Sequence, residues 1–233
     1  MRIIVAGLGL ALLAACGQDE AAPPEPSAEA IAAGLPAPGT ATSVTKQANA
    51  DLAARLDLSP GSDGEDARRD RLAYIEDDAI LNANGDVVWA IPQFEFLDAN
   101  APETVNPSLW RQSQLAAHHG LFKVMDGIYQ VRGYDLSVMS VIEGDTGWIL
   151  VDPLTATETA AAALKLVNDT LGERPVTGVL YTHSHADHFG GARGVISDEQ
   201  VAAGVPVLAP IGFSESAVSE NLIAGNQMSR RAT

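Results

Sequence analysis

The stretch Thr182-His-Ser-His-Ala-Asp-His-Phe-Gly-Gly191 holds three histidines and one aspartate within six consecutive positions. It follows the apolar run Thr177-Gly-Val-Leu-Tyr-Thr182, which is typical of a short buried strand. In extended backbone, side chains two residues apart project to the same side, so His183 and His185 can bind one ion together. The order of residues therefore predicts a metal site at the end of a strand.

The second half of the motif extends this site. A turn at Ala186 would bring Asp187 and His188 toward a second ion close to the first. Imidazole and carboxylate ligands favour zinc, with iron or manganese as alternatives. The other interpretation is a polar loop whose histidines only cap or donate hydrogen bonds.

The residues before the motif predict the unit that carries it. Residues 147–151 and 176–182 have the composition of strands, and Ala160, Leu164, Val167 and Leu171 recur at helical spacing between them. Thr155-Ala-Thr-Glu158 has the pattern of a capping box at the start of that helix. A strand–helix–strand crossover implies two parallel strands, and open α/β sheets usually build their sites at the carboxyl ends of such strands.

Four stretches carry a family resemblance. They are Asn106-Pro-Ser-Leu-Trp-Arg-Gln112, Gly127-Ile-Tyr-Gln-Val-Arg-Gly133, Glu143-Gly-Asp-Thr-Gly-Trp-Ile-Leu-Val-Asp-Pro153 and Tyr181-Thr-His-Ser-His-Ala-Asp-His-Phe-Gly-Gly191. The metal motif resembles that of the metallo-β-lactamase superfamily. The other three stretches resemble sequences of the linear primary alkyl sulfatases within that superfamily. The resemblance implies an α/β fold, the αββα sandwich of that superfamily. It also implies hydrolysis of detergent-like alkyl sulfate esters, such as dodecyl sulfate, through a water activated by two zinc ions.

The resemblance also implies roles for individual residues. His183, His185, Asp187 and His188 would be metal ligands, and Asp187 would also orient the metal-bound water. Asp152 would orient the metal-binding loop without ligating. From the sequence alone, Asp152 is equally well a turn-capping residue before Pro153.

The motif supplies fewer ligands than a dinuclear site needs. Such a site takes roughly six protein ligands, and the resemblance places the others in later segments. We therefore expect the chain to be the N-terminal part of an alkyl sulfatase and to be inactive alone. Residues 121–233 would form the first half of the metallo-β-lactamase-like domain. Family members would form homodimers through further segments. The alternatives are a lactone, thioester or β-lactam hydrolase of the same superfamily, or a non-catalytic metal-binding lipoprotein.

The amino terminus predicts export. A basic start is followed by the apolar residues 3–15 and by Leu13-Ala-Ala-Cys16, which resembles a bacterial lipobox. Residues 1–16 would then be a signal peptide, and a lipid on Cys16 would anchor the protein to a membrane facing the periplasm or the cell exterior. The alternative is an ordinary signal peptide. Cys16 is the only cysteine, which excludes disulfides within the chain.

The charge of the chain excludes one class of partner. The formal net charge is −16, and residues 17–103 hold 17 acidic against 5 basic side chains. No basic surface for nucleic acid is expected. Residues 17–65 are rich in Ala, Pro and acidic residues, which predicts a disordered tether with at most one short helix at 51–58.

Residues 66–120 are expected to form an N-terminal extension. Asn84-Gly85 lies between apolar runs and predicts a hairpin. Asn106-Pro107 predicts the start of a helix that ends near His119-Gly120. His118 and His119 are then expected to be solvent-facing residues at the helix end.

Further strands are expected on both sides of the crossover. Residues 128–132 and 136–142 precede it, with glycine turns at Gly133 and Gly144, and residues 205–208 follow it. Ser214 is expected to cap a final helix that runs to about residue 224.

Overall fold

The computed structural model describes residues 40–58, 61–75, 79–225 and 227. The expected signal peptide with Cys16, and the expected tether up to residue 39, lie outside the described residues. None of the helices within the described ranges is both long and apolar enough to cross a membrane.

The described residues form nine strands. These are β1 Arg71–Ala73, β2 Ala79–Leu81, β3 Val87–Ala90, β4 Gly120–Met125, β5 Ile128–Arg132, β6 Met139–Glu143, β7 Trp148–Val151, β8 Val176–Leu180 and β9 Val207–Leu208. Seven of them build one sheet in the order β1-β4-β5-β6-β7-β8-β9, and β2 pairs with β3 alone. The pairs β7–β8 and β8–β9 are parallel, and the other pairs are antiparallel.

The expected crossover is confirmed. Six α-helices occur within the described ranges: α1 Ser43–Ala53, α2 Ser62–Arg68, α3 Pro107–Ala116, α4 Thr157–Leu171, α5 Asp198–Ala202 and α6 Phe213–Val218. Helix α4 connects the parallel strands β7 and β8 and ends at Gly172, as its spacing predicts. It buries Ala160, Ala163 and Val167 against the sheet.

The core follows the alternation of the strands. Leu121, Val131, Val141, Leu150 and Val179 are each fully buried, one from each of the strands β4 to β8. Burying a side chain of this size contributes about 1.5–3 kcal/mol, so this layer supplies much of the stability that holds the crossover in place. Leu150 and Val179, two members of this layer, each lie one residue before the carboxyl end of their strand, β7 or β8.

Two helix starts differ from their predictions. Helix α4 begins after Ala156, so Thr155 does not cap it. Thr159 partly replaces the predicted box, because its hydroxyl accepts the N–H of Ala156 at 3.3 Å and donates to Asp135 at 2.6 Å. The capping box at residues 155–158 is therefore wrong.

The last helix also starts differently. Helix α6 begins after Gly212, whose backbone is left-handed at φ +80°, and Ser214 lies inside its first turn. A π-helical turn, Ser219–Ile223, then continues the chain. The prediction that Ser214 caps this helix is wrong, because a glycine turn at Gly212 brings the chain into it.

The segment preceding the sheet is more ordered than its composition predicts. Helix α1 starts eight residues before the expected position, with the Thr42 hydroxyl accepting the Thr45 N–H at 3.2 Å. The Asn49 amide donates to the carbonyls of Glu103 and Val105, at 2.9 and 3.1 Å. The expected tether is thus helical at residues 43–53 and again from residue 62, because Asn49 and Asp63 make contacts with residues 48–56 positions away.

The hairpin around Asn84-Gly85 is confirmed, with Gly85 at φ +86° between β2 and β3.

The helix after Asn106 starts as predicted, since the Asn106 side chain accepts two backbone N–H groups, but it ends at Ala116. His118 and His119 lie beyond it and are partly buried, and the His119 ring meets the edge of Tyr74 at 5.6 Å. The expectation that both histidines face solvent is therefore wrong.

Candidate metal centre

The motif lies at the carboxyl ends of the central parallel strands. Asp152 follows β7 directly, and residues 182–191 follow β8 after Tyr181. The Asp152 N–H donates to the carbonyl of Leu180 at 2.9 Å, which joins the two strand ends. The sheet thus places the two predicted parts of the site next to each other.

Asp152 connects the motif to the sheet. It is only 7% exposed and has a left-handed backbone, with φ +56°. Its carboxylate accepts the Thr182 N–H at 2.8 Å and the Thr182 hydroxyl at 2.7 Å. The same carboxylate lies 2.9 Å from Nδ1 of His188. These contacts join Asp152 to the motif, and the orienting role that the resemblance implies for it stays a prediction.

The hydrogen bonds of His183 and His188 are made by Nδ1, so Nε2 of each ring is the nitrogen available to a metal. Nδ1 of His183 lies 2.9 Å from the Thr182 hydroxyl, which donates onward to Asp152, and Nδ1 of His188 faces Asp152 directly. With a proton on each Nδ1, each Nε2 carries the lone pair that binds a metal. A carboxylate behind a histidine is the usual way in which proteins orient a metal-binding imidazole.

The four predicted ligands form one group of side chains. The His183 ring centroid lies 4.6 Å from that of His185 and 4.1 Å from that of His188. Nε2 of His188 is 3.4 Å from the nearer Asp187 oxygen. Asp187 and His188 occupy the 3-10 turn Ala186–His188, as the turn at Ala186 predicts.

The donor set suits a metal, although the donor atoms do not converge on a single position. Neutral imidazoles with one carboxylate are the ligands that zinc takes in proteins. Among the described residues, no three His, Cys, Asp or Glu side chains have their donor atoms arranged to hold an ion. The structure therefore brings the four predicted ligands together and orients two of them without completing a coordination sphere.

Glu220 is a residue of the site that the sequence did not reveal. It lies on the π-helical turn after α6, and its carboxylate accepts the Ser184 hydroxyl at 3.2 Å. The same oxygen is 3.8 Å from Nε2 of His185. No local pattern signals this contact, since 35 positions separate Glu220 from His185 and only the return of the chain through β9 brings them together.

Three aromatic rings hold that returning segment beside the motif. Phe213 stacks on Tyr181 at 5.4 Å and meets the edge of Phe189 at 5.1 Å, while Tyr181 and Phe189 are 5.9 Å apart. Burial raises the pKa of the Tyr181 phenol above its usual value. The cluster forms an apolar wall next to the polar ligand group.

The glycines after the motif allow the close approach that the sequence predicts. A Cβ on Gly190 would lie 2.3 Å from the carbonyl oxygen of Thr155, and one on Gly191 would lie 2.2 Å from that of Pro153. Gly194 is equally tight, since its Cβ would lie 2.1 Å from the carbonyl oxygen of Thr157. The backbone after the ligands is thus packed directly against the loop that leads into α4.

Comparison with known proteins connects this site to a family. The model of the metallo-β-lactamase superfamily matches residues 132–211, which include Asp152 and the whole motif. Members of that superfamily are typically metal-dependent. The alkyl/aryl-sulfatase BDS1 of Saccharomyces cerevisiae is 47% identical over 81% of this chain and 29% of its own length.

Two bacterial relatives are equally similar. The (R)-specific secondary-alkylsulfatase and a linear primary-alkylsulfatase of Pseudomonas are 48% and 46% identical, over 82% and 83% of this chain and 29% of each relative. The chain thus spans about three tenths of the length of these relatives.

A solved structure shows the same relationship. The stereoselective inverting sec-alkylsulfatase Pisa1 from Pseudomonas superposes with a TM-score of 0.75 at 48% identity, over 83% of this chain and 31% of that protein. The expected fold is confirmed: the chain has a metallo-β-lactamase-like α/β fold, and it is similar to alkylsulfatases along about three tenths of their length.

Proposed function

We propose that the chain belongs to a zinc-dependent hydrolase that cleaves detergent-like alkyl sulfate esters. The observation that carries the proposal is the orientation of His183 and His188 by Asp152 and Thr182, in a chain whose relatives are alkylsulfatases. The identity to these relatives extends over four fifths of the chain, well beyond the metal motif. This extent favours a sulfate ester over a lactone, thioester or β-lactam as the substrate.

Each side chain of the group has a definite part in this proposal. His183, His185, Asp187 and His188 would hold two zinc ions together with ligands from elsewhere. Bound zinc would supply Lewis acidity and lower the pKa of a coordinated water toward neutrality. Asp187 would accept a hydrogen bond from the attacking water, and Asp152 would keep the His188 ring in the required tautomer.

The first prediction concerns the reaction. We expect the chain, joined after residue 233 to the remaining part of the 46%-identical linear primary-alkylsulfatase of Pseudomonas, to release sulfate from dodecyl sulfate. Chelation should abolish the activity, because the Lewis acid is lost with the ion. Sulfate release and hydrolysis of a β-lactam and a simple lactone are measured side by side.

The control is the same chimera with His183→Ala and His185→Ala, which should be inactive and should melt at the temperature of the chelated wild-type chimera, since both lack the stabilising ion. A chimera that opens the β-lactam or lactone but leaves dodecyl sulfate intact would contradict the proposed substrate. Activity that survives chelation would contradict the proposed zinc chemistry.

We also propose that the protein is exported and carries lipid on Cys16. The apolar residues 3–15 and the Leu13-Ala-Ala-Cys16 sequence support this proposal. Several acyl chains attach a protein firmly, since each buried methylene contributes about 0.8 kcal/mol, whereas a single chain binds only marginally.

The second prediction follows from that anchor. Expressed in a Gram-negative host, the full chain should sediment with membranes, and Cys16→Ser should move it to the soluble fraction. Fractionation with metabolic labelling by a palmitate analogue measures both effects. Labelling that persists in Cys16→Ser, or a wild-type chain found only in the soluble fraction, would refute the lipidation.

A further inference from the structure

An apolar cavity lies away from the metal ligands. Its volume is about 680 Å³, within the range of roughly 300–1,000 Å³ that is usual for small-molecule sites. It is enclosed by the 3-10 helix Ile91–Asp98, by α3 and by the loop 133–138 between β5 and β6. Its main apolar lining consists of Trp89, Phe94, Phe96, Leu109, Trp110 and Leu136.

Part of this apolar lining faces solvent. Phe96, Leu109 and Leu136 are 59–60% exposed, although each lines the same cavity. A contiguous exposed apolar surface at a cavity mouth marks a place where an apolar partner binds. Aromatic rings are rigid, so they give the cavity walls a fixed shape. An alkyl chain fits between such walls better than the flat surface of a partner protein does.

Unsatisfied polar atoms lie in the same cavity. The Ser137 side chain is buried, with the residue only 6% exposed, and its hydroxyl has no hydrogen-bond partner in the structure. Nε2 of His119 is also buried and unpartnered, and both residues line the cavity. Such groups cost about 1–3 kcal/mol each when they stay unpaired, so a ligand that pairs with them gains affinity.

Arg132 adds a positive charge to this polar end. Its guanidinium lies 4.5 Å above the Phe122 ring, and its Nε donates to Gln130 at 3.0 Å. Within the described part of the chain, no carboxylate pairs with it. Asp135 also lines the cavity, but its oxygens already accept Ser137 N–H, Thr155 N–H and the Thr159 hydroxyl. A negative head group would therefore meet the unpaired Arg132 guanidinium and the free Ser137 hydroxyl, with the hydrogen-bonded Asp135 carboxylate close by.

We propose that this cavity binds a single-chain anionic amphiphile, with its alkyl chain among the aromatic walls and its head group at Arg132 and Ser137. The site contains none of the four predicted metal ligands, so the proposal does not depend on the proposed reaction. The unpaired Arg132 guanidinium and the free Ser137 hydroxyl favour a small anionic ligand over an apolar protein segment.

The test uses the full chain, with dodecanoate as the probe, kept below its micelle concentration and in the presence of a chelator. Dodecanoate has no sulfate ester to hydrolyse, and the chelator removes any contribution from the metal ligands. Titration calorimetry and the fluorescence of Trp89 and Trp110 should show one saturable site per chain. Affinity should rise about fourfold for each added methylene, so octanoate should bind on the order of a hundredfold more weakly.

Three variants locate the site. Ala116→Trp places a ring in the cavity and should abolish binding, while the same substitution at the exposed Ala202 on α5 should leave it unchanged. Ser137→Ala and Arg132→Met should each weaken dodecanoate binding about tenfold and bring it close to the affinity for dodecan-1-ol. Thermal melts confirm that the variants fold.

The opposite results would overturn the proposal. Unsaturable binding, affinity independent of chain length, or full binding by Ala116→Trp would show that the cavity is not the site. A wild-type chain that binds no dodecanoate but forms a dimer broken by Ala116→Trp would show that the face joins two copies instead. If this site fails while the chimera still cleaves dodecyl sulfate, the proposed function stands without it.

Discussion

Replacing Gly191 with alanine should destabilise the protein more than any substitution on its surface. The new Cβ would lie 2.2 Å from the Pro153 oxygen, 2.6 Å from the Ala156 oxygen and 2.8 Å from the Ala160 side chain. Two of these three atoms belong to the backbone, and the Gly191 N–H donates to the Leu154 carbonyl at 2.9 Å. Neither the loop after the motif nor the loop that leads into α4 can therefore move away easily. We expect a loss of about 3 kcal/mol or more in the free energy of unfolding.

Thermal unfolding followed by circular dichroism checks this expectation. A loss of that size should lower the melting temperature by about 6–12 °C in a chain of this length. The matched control is Gly178→Ala in β8, where the nearest atoms lie 3.8 Å from the new Cβ, and its melt should stay close to that of the wild type. Equal melting temperatures for the two variants would mean that the loop after the motif is not tightly packed against the entry to α4.

Replacing Asp152 with asparagine should cause the largest loss of metal affinity outside the ligands themselves. Asparagine tolerates the left-handed backbone at φ +56°, so the change acts mainly on the hydrogen bonds. An amide cannot accept at both ends, and the bonds from Thr182 and His188 therefore cannot all be kept. Loss of such a partner behind a ligand lowers metal affinity about 10- to 100-fold.

Zinc titration against a competing chelator measures this effect, and histidine NMR spectra report the tautomer of His188. Asp145→Asn is the control, because Asp145 is exposed in the turn between β6 and β7 and should leave zinc affinity unchanged. Asp152→Ala should weaken binding further, since it adds backbone strain and leaves the Thr182 N–H without its acceptor. Unchanged zinc affinity in Asp152→Asn would show that Asp152 is a turn residue with no part in the metal centre.

Patterns within a single element predicted much of the fold. Strand β5 spans the predicted residues, and helix α4 ends at the predicted glycine, because alternation and apolar spacing report burial directly. Strand β4 was missed, since the chain after His119 looked like the end of a helix and not the start of a strand. Strand β6 begins three residues late, because Leu136 and Val138 turn outward toward the apolar cavity instead of pairing.

In the candidate site too, residues marked by a local sequence pattern could be predicted and residues placed by distant contacts could not. The motif and Asp152 could be found because each follows a strand that its own sequence reveals. Glu220 and the start of helix α1 could not be found, since their contacts depend on residues more than 30 positions away. Helix starts were also mispredicted where Ala156 and Gly212 occupy the cap positions, because the chain enters these helices through tertiary contacts or a left-handed turn.

The order of the large sheet has a consequence for how the chain folds as it is made. From β5 onward, each strand pairs with the strand synthesised just before it. Short loops close at low entropic cost, so this part of the sheet can grow in step with synthesis. Only the parallel additions of β8 and β9 require longer closures. The strand that leads into the predicted metal motif is then added to strands that have already paired. The predicted ligands therefore come together late in folding.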